Sequence, residues 1–195
     1  MISQPLSAIE SVITAAEFAA FVGTSETDPL ISMLSGSATD YISRYLELEL
    51  INRQRRMTSI FWPYHGTDTS PSLSRPDAKL NEDIKLPYSH TACTLDSALA
   101  YGVTVTPDLL KGKPFIIHFD TFPTIALDED ELALDVTYTS GYGTIDDVPI
   151  NIKMAVLNLA AYMYEHRGEC DAAQALYKSG AADMVASYKT NLVVM

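Results

Sequence analysis

The sequence predicts an α+β protein that is mainly an α-helical bundle, with two N-terminal and two C-terminal helices and a central β-rich insertion. Helix-capping residues followed by apolar residues at helical spacing occur near both ends of the chain, whereas β-branched and aromatic residues dominate its middle. The simplest packing joins residues 1–50 and 141–195 into one bundle and inserts residues 51–140 between them. A length of 195 residues fits a single overall domain.

Two N-terminal helices are predicted from their starts. The segment Thr14-Ala-Ala-Glu17 is a capping box, and Gly23 suits the C-terminal cap of the short helix that follows. Asp28-Pro29 then provides an N-cap and a proline for the first turn of a second helix. Apolar residues recur at helical spacing from Leu30 to about Glu49, which predicts the length of this helix.

The middle of the chain is predicted to be β-rich. A strand is expected from Arg53 to Tyr64, and a loop dominated by Ser, Thr, Pro and Asp is expected over residues 66–81. Alternating apolar residues near residue 134 indicate a half-buried strand. That segment is Leu132–Thr139, and the other strand-like segments are Ile84–Tyr88, Tyr101–Thr106 and Pro114–Phe119.

Two C-terminal helices complete the predicted bundle. Gly141-Tyr-Gly143 ends the β region, and Asp146-Asp147-Val148-Pro149 opens a helix, with acidic residues near its positive end. An apolar stripe then runs from Ile152 to Met163. Asp171 can cap a final helix in which Gly180 is expected to produce a weak point or kink.

Composition restricts the partners of the chain. It contains 25 acidic and 13 basic residues, a net charge of −12, and such a chain repels DNA phosphate. Cys93 and Cys170 form no disulfide framework and are predicted to be free thiols. Neither a signal segment nor an apolar run of membrane-spanning length occurs, so we expect a soluble protein that is made in a cytoplasm and does not contact a membrane.

The sequence lacks the common motifs of enzyme active sites, and we predict a protein without catalytic, cofactor-binding or metal-binding residues. His166 and Cys170 are four residues apart, but a structural zinc site needs further ligands, which are missing nearby. The acidic loop lacks the glycine of a calcium-binding loop. Its residues are instead predicted to form an acidic rim or channel surface: Asp128, Glu129, Asp130 and Glu131.

Two further segments are candidates for contacts with other chains. Arg53, Arg55 and Arg56 form a small basic patch, which we interpret as an interface with an acidic neighbouring subunit in preference to a phosphate contact. An exposed strand end that balances nearby acids is the alternative. The apolar C-terminal residues either fold back on their own core or form a partner-docking tail, since a free tail frays in water: Leu192, Val193, Val194 and Met195.

A longer pattern resembles a known family. The segment Val136-Thr-Tyr-Thr-Ser-Gly141-Tyr-Gly143, followed by Val148-Pro149, Ile152-Lys153, Ala155-Val156, Leu159, Tyr164-Glu165 and Arg167, resembles the C-terminal signature of the head–tail connector (adaptor or head-completion) proteins of tailed bacteriophages, which also occur in gene transfer agents. The capped N-terminal helices are similar too. The resemblance covers residues 12–62 and 132–168, whereas residues 66–131 match nothing specific, so the role of this insertion stays open.

The resemblance implies a virion structural protein and no catalytic residues. Members of the family form a ring of roughly twelvefold symmetry beneath the portal, and the ring extends the DNA channel. The implied partners are the portal protein, a stopper or tail protein and other copies of the chain, with double-stranded DNA passing through without specific binding. The implied location is the head–tail junction of a virion assembled in a bacterial cytoplasm. A stopper or tail-completion protein and, less favoured, a small soluble enzyme are the alternatives.

Overall fold

The structure is a computed structural model that describes residues 2–59, 82–100, 102–112, 114–119, 134–167 and 171–189. The chain divides into two compact units. The first, here called the β unit, comprises Met1–Ser7 and Arg53–Ser140. The second, here called the helical unit, comprises Ala8–Asn52 and Gly141–Met195. The chain therefore passes between the units at residues 7–8, 52–53 and 140–141.

Within the described residues, the β unit contains two antiparallel sheets. The first has the strand order β1-β2-β8-β4-β5, and the second has the order β3-β7-β6. The strands are β1 (Ile2–Pro5), β2 (Arg53–Ser59), β3 (Glu82–Lys85), β4 (Cys93–Ala100), β5 (Val103–Thr104), β6 (Asp108–Leu110), β7 (Ile116–Phe119) and β8 (Leu134–Ser140).

The core of the β unit is built from alternate residues of these strands. In β8, Leu134, Val136 and Tyr138 are fully buried, while the residues between them are half-buried. This confirms the alternation predicted for the strand from residue 134 onward, and it follows from the two-residue period of a β-strand. Met57 of β2 and Ile117 of β7 belong to the same apolar cluster, so both sheets contribute to one core.

The helical unit has its own apolar core. Ile42 of the second helix and Ile152, Val156 and Leu159 of the third helix are fully buried in it. These buried residues confirm the predicted apolar stripe, which recurs every three to four residues. The described helices are α1 (Ala15–Val22), α2 (Pro29–Leu46), α3 (Ile150–Glu165), α4 (Ala172–Lys178) and α5 (Ala181–Val185), with short 3-10 helices at Ile145–Asp147 and Ala186–Tyr188.

The predicted caps of the first two helices are confirmed. The Thr14 backbone N–H donates to Glu17 Oε2 at 2.7 Å, and the Glu17 backbone N–H donates to Thr14 Oγ1 at 3.1 Å. Gly23 ends α1 with φ at 70°, a conformation that glycine adopts readily. Asp28 caps α2, which ends at Leu46, a few residues earlier than the periodicity predicts.

The predicted fold class is wrong. In the described part of the chain, 41% of residues are helical and 26% lie in strands, so the protein is not mainly a helical bundle. Three α-helices rather than two follow the β region, because Gly180 adopts φ of 74° and separates α4 from α5. The sequence also failed to predict β1, β4 and β6, and the predicted strand Tyr101–Thr106 is reduced to Val103–Thr104.

Candidate functional site

The segment that carries the family resemblance, residues 136–167, is here called the signature segment, and it begins in the β unit. Tyr138 lies in the centre of the β core with no exposed surface, and its hydroxyl donates to the Pro87 carbonyl oxygen at 2.6 Å. The Ser140 hydroxyl donates to the carbonyl oxygen of Tyr88 at 2.9 Å. Both side chains therefore fix the turn at residues 87–88 rather than presenting a reactive group.

The two glycines of the signature segment lie at close contacts within the helical unit, Gly141 against backbone atoms and Gly143 against a side chain. At Gly141, φ is 151° and an added Cβ would lie 2.5 Å from the backbone of Ile51 and Asn52. At Gly143, φ is 126°, and an added Cβ would lie 2.5 Å from Asp147 Oδ2. The Asn52 N–H also donates to the Gly143 carbonyl oxygen at 2.9 Å. These glycines permit a tight chain crossing and form no nucleotide-binding loop.

The next part of the signature segment is a second capping box. Asp147 Oδ2 accepts hydrogen bonds from the Thr144 backbone N–H and from the Thr144 hydroxyl, both at 2.8 Å. These bonds, chiefly the backbone one, lower the pKa of Asp147. Val148 is buried immediately after the box, and α3 begins at Ile150. The acidic pair predicted to open the helix thus shapes the turn before it.

The signature segment ends in a polar clamp on the start of α2. The Tyr164 hydroxyl donates to Asp28 Oδ2 at 3.0 Å, and its oxygen lies 3.3 Å from Thr24 Oγ1. The Tyr164 ring also packs edge-on against Phe18, and the Arg167 guanidinium lies over it at 4.1 Å from the ring centroid. The contacts of Tyr164 therefore tie the end of α3 to the start of α2 and to α1.

The three arginines of the predicted basic patch have different surroundings in the β unit. Arg55 is 7% exposed, its guanidinium lies 4.0 Å from the Tyr88 ring centroid, and its Nε donates to Ser3 Oγ at 3.2 Å. Arg53 donates from Nε and Nη2 to the Ser7 carbonyl oxygen at 2.9 and 2.6 Å. Two of the three thus hold residues 2–7 against β2, a role for which the sequence contained no signal.

Arg56 lies on the opposite face of β2 from Arg55. It forms a bidentate ion pair with Asp135 of β8, in which Nε donates to Oδ1 at 2.9 Å and Nη2 donates to Oδ2 at 2.6 Å. Its side chain is 41% exposed, and that of Asp135 is 15% exposed. The hydrogen bonds to Asp135 raise the already high pKa of Arg56. An inter-subunit role for this patch stays a prediction, and Arg56 is more accessible for it than the buried Arg55.

Several predicted residues lie outside the described part of the chain. These are the acidic rim Asp128, Glu129, Asp130 and Glu131, the docking tail Leu192, Val193, Val194 and Met195, and also Cys170. Cys93 is described and is a free thiol, as predicted. Burial raises the pKa of the Cys93 thiol to about 12, so it is a poor nucleophile.

Among the described residues, an open groove of 530 Å³ occurs in the helical unit. It is lined by Glu10, Ile51, Asn52 and residues 143–147, which bring three carboxylates to one surface. Asp147 already accepts two hydrogen bonds there. The described residues contain no group of three or more His, Cys, Asp or Glu side chains arranged to hold a metal ion. None of the described helices combines the length and apolar character that crossing a membrane requires.

Comparison with known proteins gives a full-length structural likeness. A chain in the neck of a native GTA particle, computed with C12 symmetry, matches with a TM-score of 0.71 at 20% identity over 100% of this chain and 98% of that one. A chain in the neck of an empty GTA particle, computed with C6 symmetry, matches with a TM-score of 0.69 at 19% identity over the same shares. A chain in the virion of a native gene transfer agent (GTA) particle matches with a TM-score of 0.66 at 19% identity, over 100% of this chain and 98% of that one.

Sequence-based comparison adds nothing to this likeness. No protein-family model matches the chain, and no curated protein matches it. At about one identical residue in five, a structural likeness establishes the fold and not the activity. The resemblance to head–tail connectors is therefore confirmed at the level of the fold, which this chain shares over its whole length with chains of gene transfer agent particles.

Proposed function

We propose that the chain is a structural protein of a virion neck, and that it acts as a head-to-tail adaptor. In this role, copies of the chain form a ring between the portal and the tail components, and the ring extends the DNA channel. The observation that carries the proposal is the match of the entire chain to a chain in the neck of a native GTA particle. The match covers 100% of this chain and 98% of that one, so it does not depend on one shared segment.

The arrangement of the signature segment supports a structural role. Its glycines, capping residues and Tyr164 are all engaged in packing or in hydrogen bonds within the fold. A ring subunit needs such rigidity, because each copy repeats the same contacts around a closed assembly. The proposed protein is not an enzyme and uses no cofactor. Its partners would be the portal, a stopper or tail protein and further copies of itself, in a ring whose symmetry is suggested by the C12 neck.

Charge supports passage of DNA without binding. The helical unit carries 13 acidic and five basic residues, a net charge of −8, and the β unit carries 12 acidic and eight basic residues, a net charge of −4. In a ring, this excess is repeated in every copy. Repulsion between carboxylates and phosphates prevents a nucleic acid from adhering to a channel wall. We propose that Asp128, Glu129, Asp130 and Glu131 contribute to the rim or the wall.

The docking tail provides a second testable contact. We propose that the segment Leu192–Met195 docks on a neighbouring copy or on the portal. Replacing its four apolar residues by Ser should abolish incorporation of the chain into particles while leaving the unfolding midpoint of the isolated protein unchanged. If the same replacement also lowers the unfolding midpoint of the isolated protein, the tail packs on its own core instead.

The function is tested by a nonsense mutation in the gene for this chain, in the phage or gene transfer agent that encodes it. Electron microscopy of the lysate should show DNA-filled or leaking heads beside separate, complete tails. Supplying the intact chain from a plasmid should restore joined particles, which controls for effects on neighbouring genes. Normal infectious particles in the mutant lysate would refute the proposal.

The same particles separate the adaptor from a stopper. A label on the exposed Lys178 at the end of α4 should appear in the ring that touches the portal if the chain is an adaptor. A label one ring nearer to the tail would identify a stopper or tail-completion protein instead.

A further inference from the structure

Strand β1 is an edge strand of its sheet, next to β2. None of its residues belongs to the apolar core of the β unit. Its large apolar residue Ile2 is 66% exposed, and Leu6, just after the strand, is 48% exposed. The attachment is polar instead: the ladder with β2, the bond from Arg55 to Ser3, and the two bonds from Arg53 to the Ser7 carbonyl oxygen.

The outer edge of β1 is poorly suited to extending the sheet. The Leu6 N–H donates to the Gln54 carbonyl oxygen, so by alternation residues 2 and 4 also direct their backbone groups towards β2. Ser3 and Pro5 therefore face outward, and Pro5 has no N–H to donate. A partner strand added outside β1 would find one donor only. The inner edge of β1, which pairs with β2, is therefore better suited to strand pairing with another chain.

The path of the chain allows β1 to leave β2 of its own copy and to pair with β2 of another copy. Residues 1–7 belong to the β unit, and the chain enters the helical unit at Ala8. Among the described residues, the ladder and the side-chain hydrogen bonds that hold residues 2–7 are made to residues at or beyond Arg53, at least 46 residues away along the chain. An identical set of partners exists on every other copy, so the same ladder forms equally well between two copies.

We propose that β1 is exchanged between neighbouring copies in the assembled ring, where it pairs with β2 of the adjacent subunit. The inference rests on the proposed function, because it needs copies held side by side. Neighbouring copies in a ring have a high effective concentration, which lets an exchanged strand compete with the strand of the same copy. Exchange also brings the exposed Ile2 and Leu6 to a junction between subunits, where their apolar surface is removed from water.

Disulfide trapping tests the exchange directly. Ile2 and Thr58 are cross-strand partners of the hydrogen-bonded type, whose Cα atoms lie about 5.5 Å apart, a distance that a disulfide spans. Both native cysteines are first replaced by Ala. One variant then carries Ile2→Cys, a second carries Thr58→Cys, and a third carries both. The variants are incorporated into particles, the particles are oxidised, and the chains are separated by size under denaturing, non-reducing conditions.

Exchange predicts two results. Particles assembled from a mixture of the two single variants should yield disulfide-linked dimers, since a single variant contains no partner thiol within its own copy. Particles assembled from the double variant should yield a ladder of linked chains longer than dimers. The double variant as a dilute monomer should form an internal disulfide, which shows that the introduced pair has suitable geometry.

Other outcomes overturn the proposal. A ring whose double variant gives internally linked monomers only, with no dimers from the mixed single variants, means that β1 stays on its own copy. That result leaves the adaptor function intact. Particles in which electron microscopy finds no ring of this chain, before any oxidation, refute both the adaptor function and the exchange.

Discussion

Replacing Gly141 by Ala tests the structure directly, because the added methyl group lowers the unfolding free energy in two separate ways. The positive φ of 151° disfavours any residue with a Cβ, by about 1–3 kcal/mol. The added Cβ would also lie 2.5 Å from backbone atoms of Ile51 and Asn52, which cannot move aside as a flexible side chain would. Overpacking of this kind costs about 1–3 kcal/mol. We therefore expect Gly141→Ala to lower the unfolding free energy by about 3 kcal/mol.

Two matched glycine variants separate these costs. Gly180 has φ of 74° with open space around it, so Gly180→Ala tests backbone conformation alone and should cost about 1 kcal/mol. Gly36 lies inside α2, and no atom lies within 4 Å of an added Cβ. Because Ala favours a helix more than Gly does, Gly36→Ala should stabilise the protein by about 1 kcal/mol.

The assay is urea unfolding followed by circular dichroism at the helix band, with the free energy extrapolated to water for each variant. The expected order, from the most to the least stable protein, is Gly36→Ala, wild type, Gly180→Ala and Gly141→Ala. If Gly141→Ala unfolds at the same urea concentration as Gly180→Ala, the close approach to residues 51–52 does not exist, and the reasoning about the signature segment fails.

Three further predictions concern single side chains. Tyr164→Phe removes the hydroxyl that donates to Asp28 Oδ2 and should lower the unfolding free energy by about 1–2 kcal/mol in the same assay; an unchanged midpoint would mean that this clamp contributes nothing. The hydrogen bonds from Thr14 lower the pKa of Glu17, so the contribution of Glu17 to the unfolding free energy is complete above the ordinary glutamate pKa and is lost as the pH falls through the lowered value. Glu17→Gln should therefore flatten the decline of the unfolding free energy below about pH 4.3. An unchanged slope in that range would contradict this prediction. The Cys93 thiol, with its pKa raised to about 12, should hold about a thousandfold less thiolate at pH 8 than an ordinary cysteine, and alkylation followed by mass spectrometry should find it unmodified until the protein unfolds.

Local signals in the sequence predicted the helix starts well. The capping residues Thr14 and Asp28 hold the helices that follow them, and the stripe from Ile152 onward is buried as its spacing indicates. These features involve residues within a few positions of one another, so the chain carries them whatever its distant parts do. The resemblance over residues 12–62 and 132–168 is likewise confirmed by the likeness to the neck structures, although the fold class predicted from the sequence is wrong.

Strand β4 shows why the β unit was harder to predict. Its pairing with β8 shifts between Leu95 and Ser97, where a bulge inserts Asp96. Cys93 and Leu95 precede the bulge and Ala98 and Ala100 follow it, so the apolar residues change parity within one strand. Because alternation is the signal by which a half-buried strand is identified, the bulge hides this strand, and the sequence predicts no strand over residues 93–100.

The sequence by itself determined where α1, α2 and α4 begin, which face of α3 is buried and which family the chain resembles, because each of these depends on neighbouring residues. Only the tertiary structure decided that β1 pairs with β2, that Arg53 and Arg55 hold the N-terminal residues, and that Gly141 must have no side chain. Each of these three depends on atoms brought together from at least 46 positions apart in the chain, and contacts at such separations are not encoded in any local pattern.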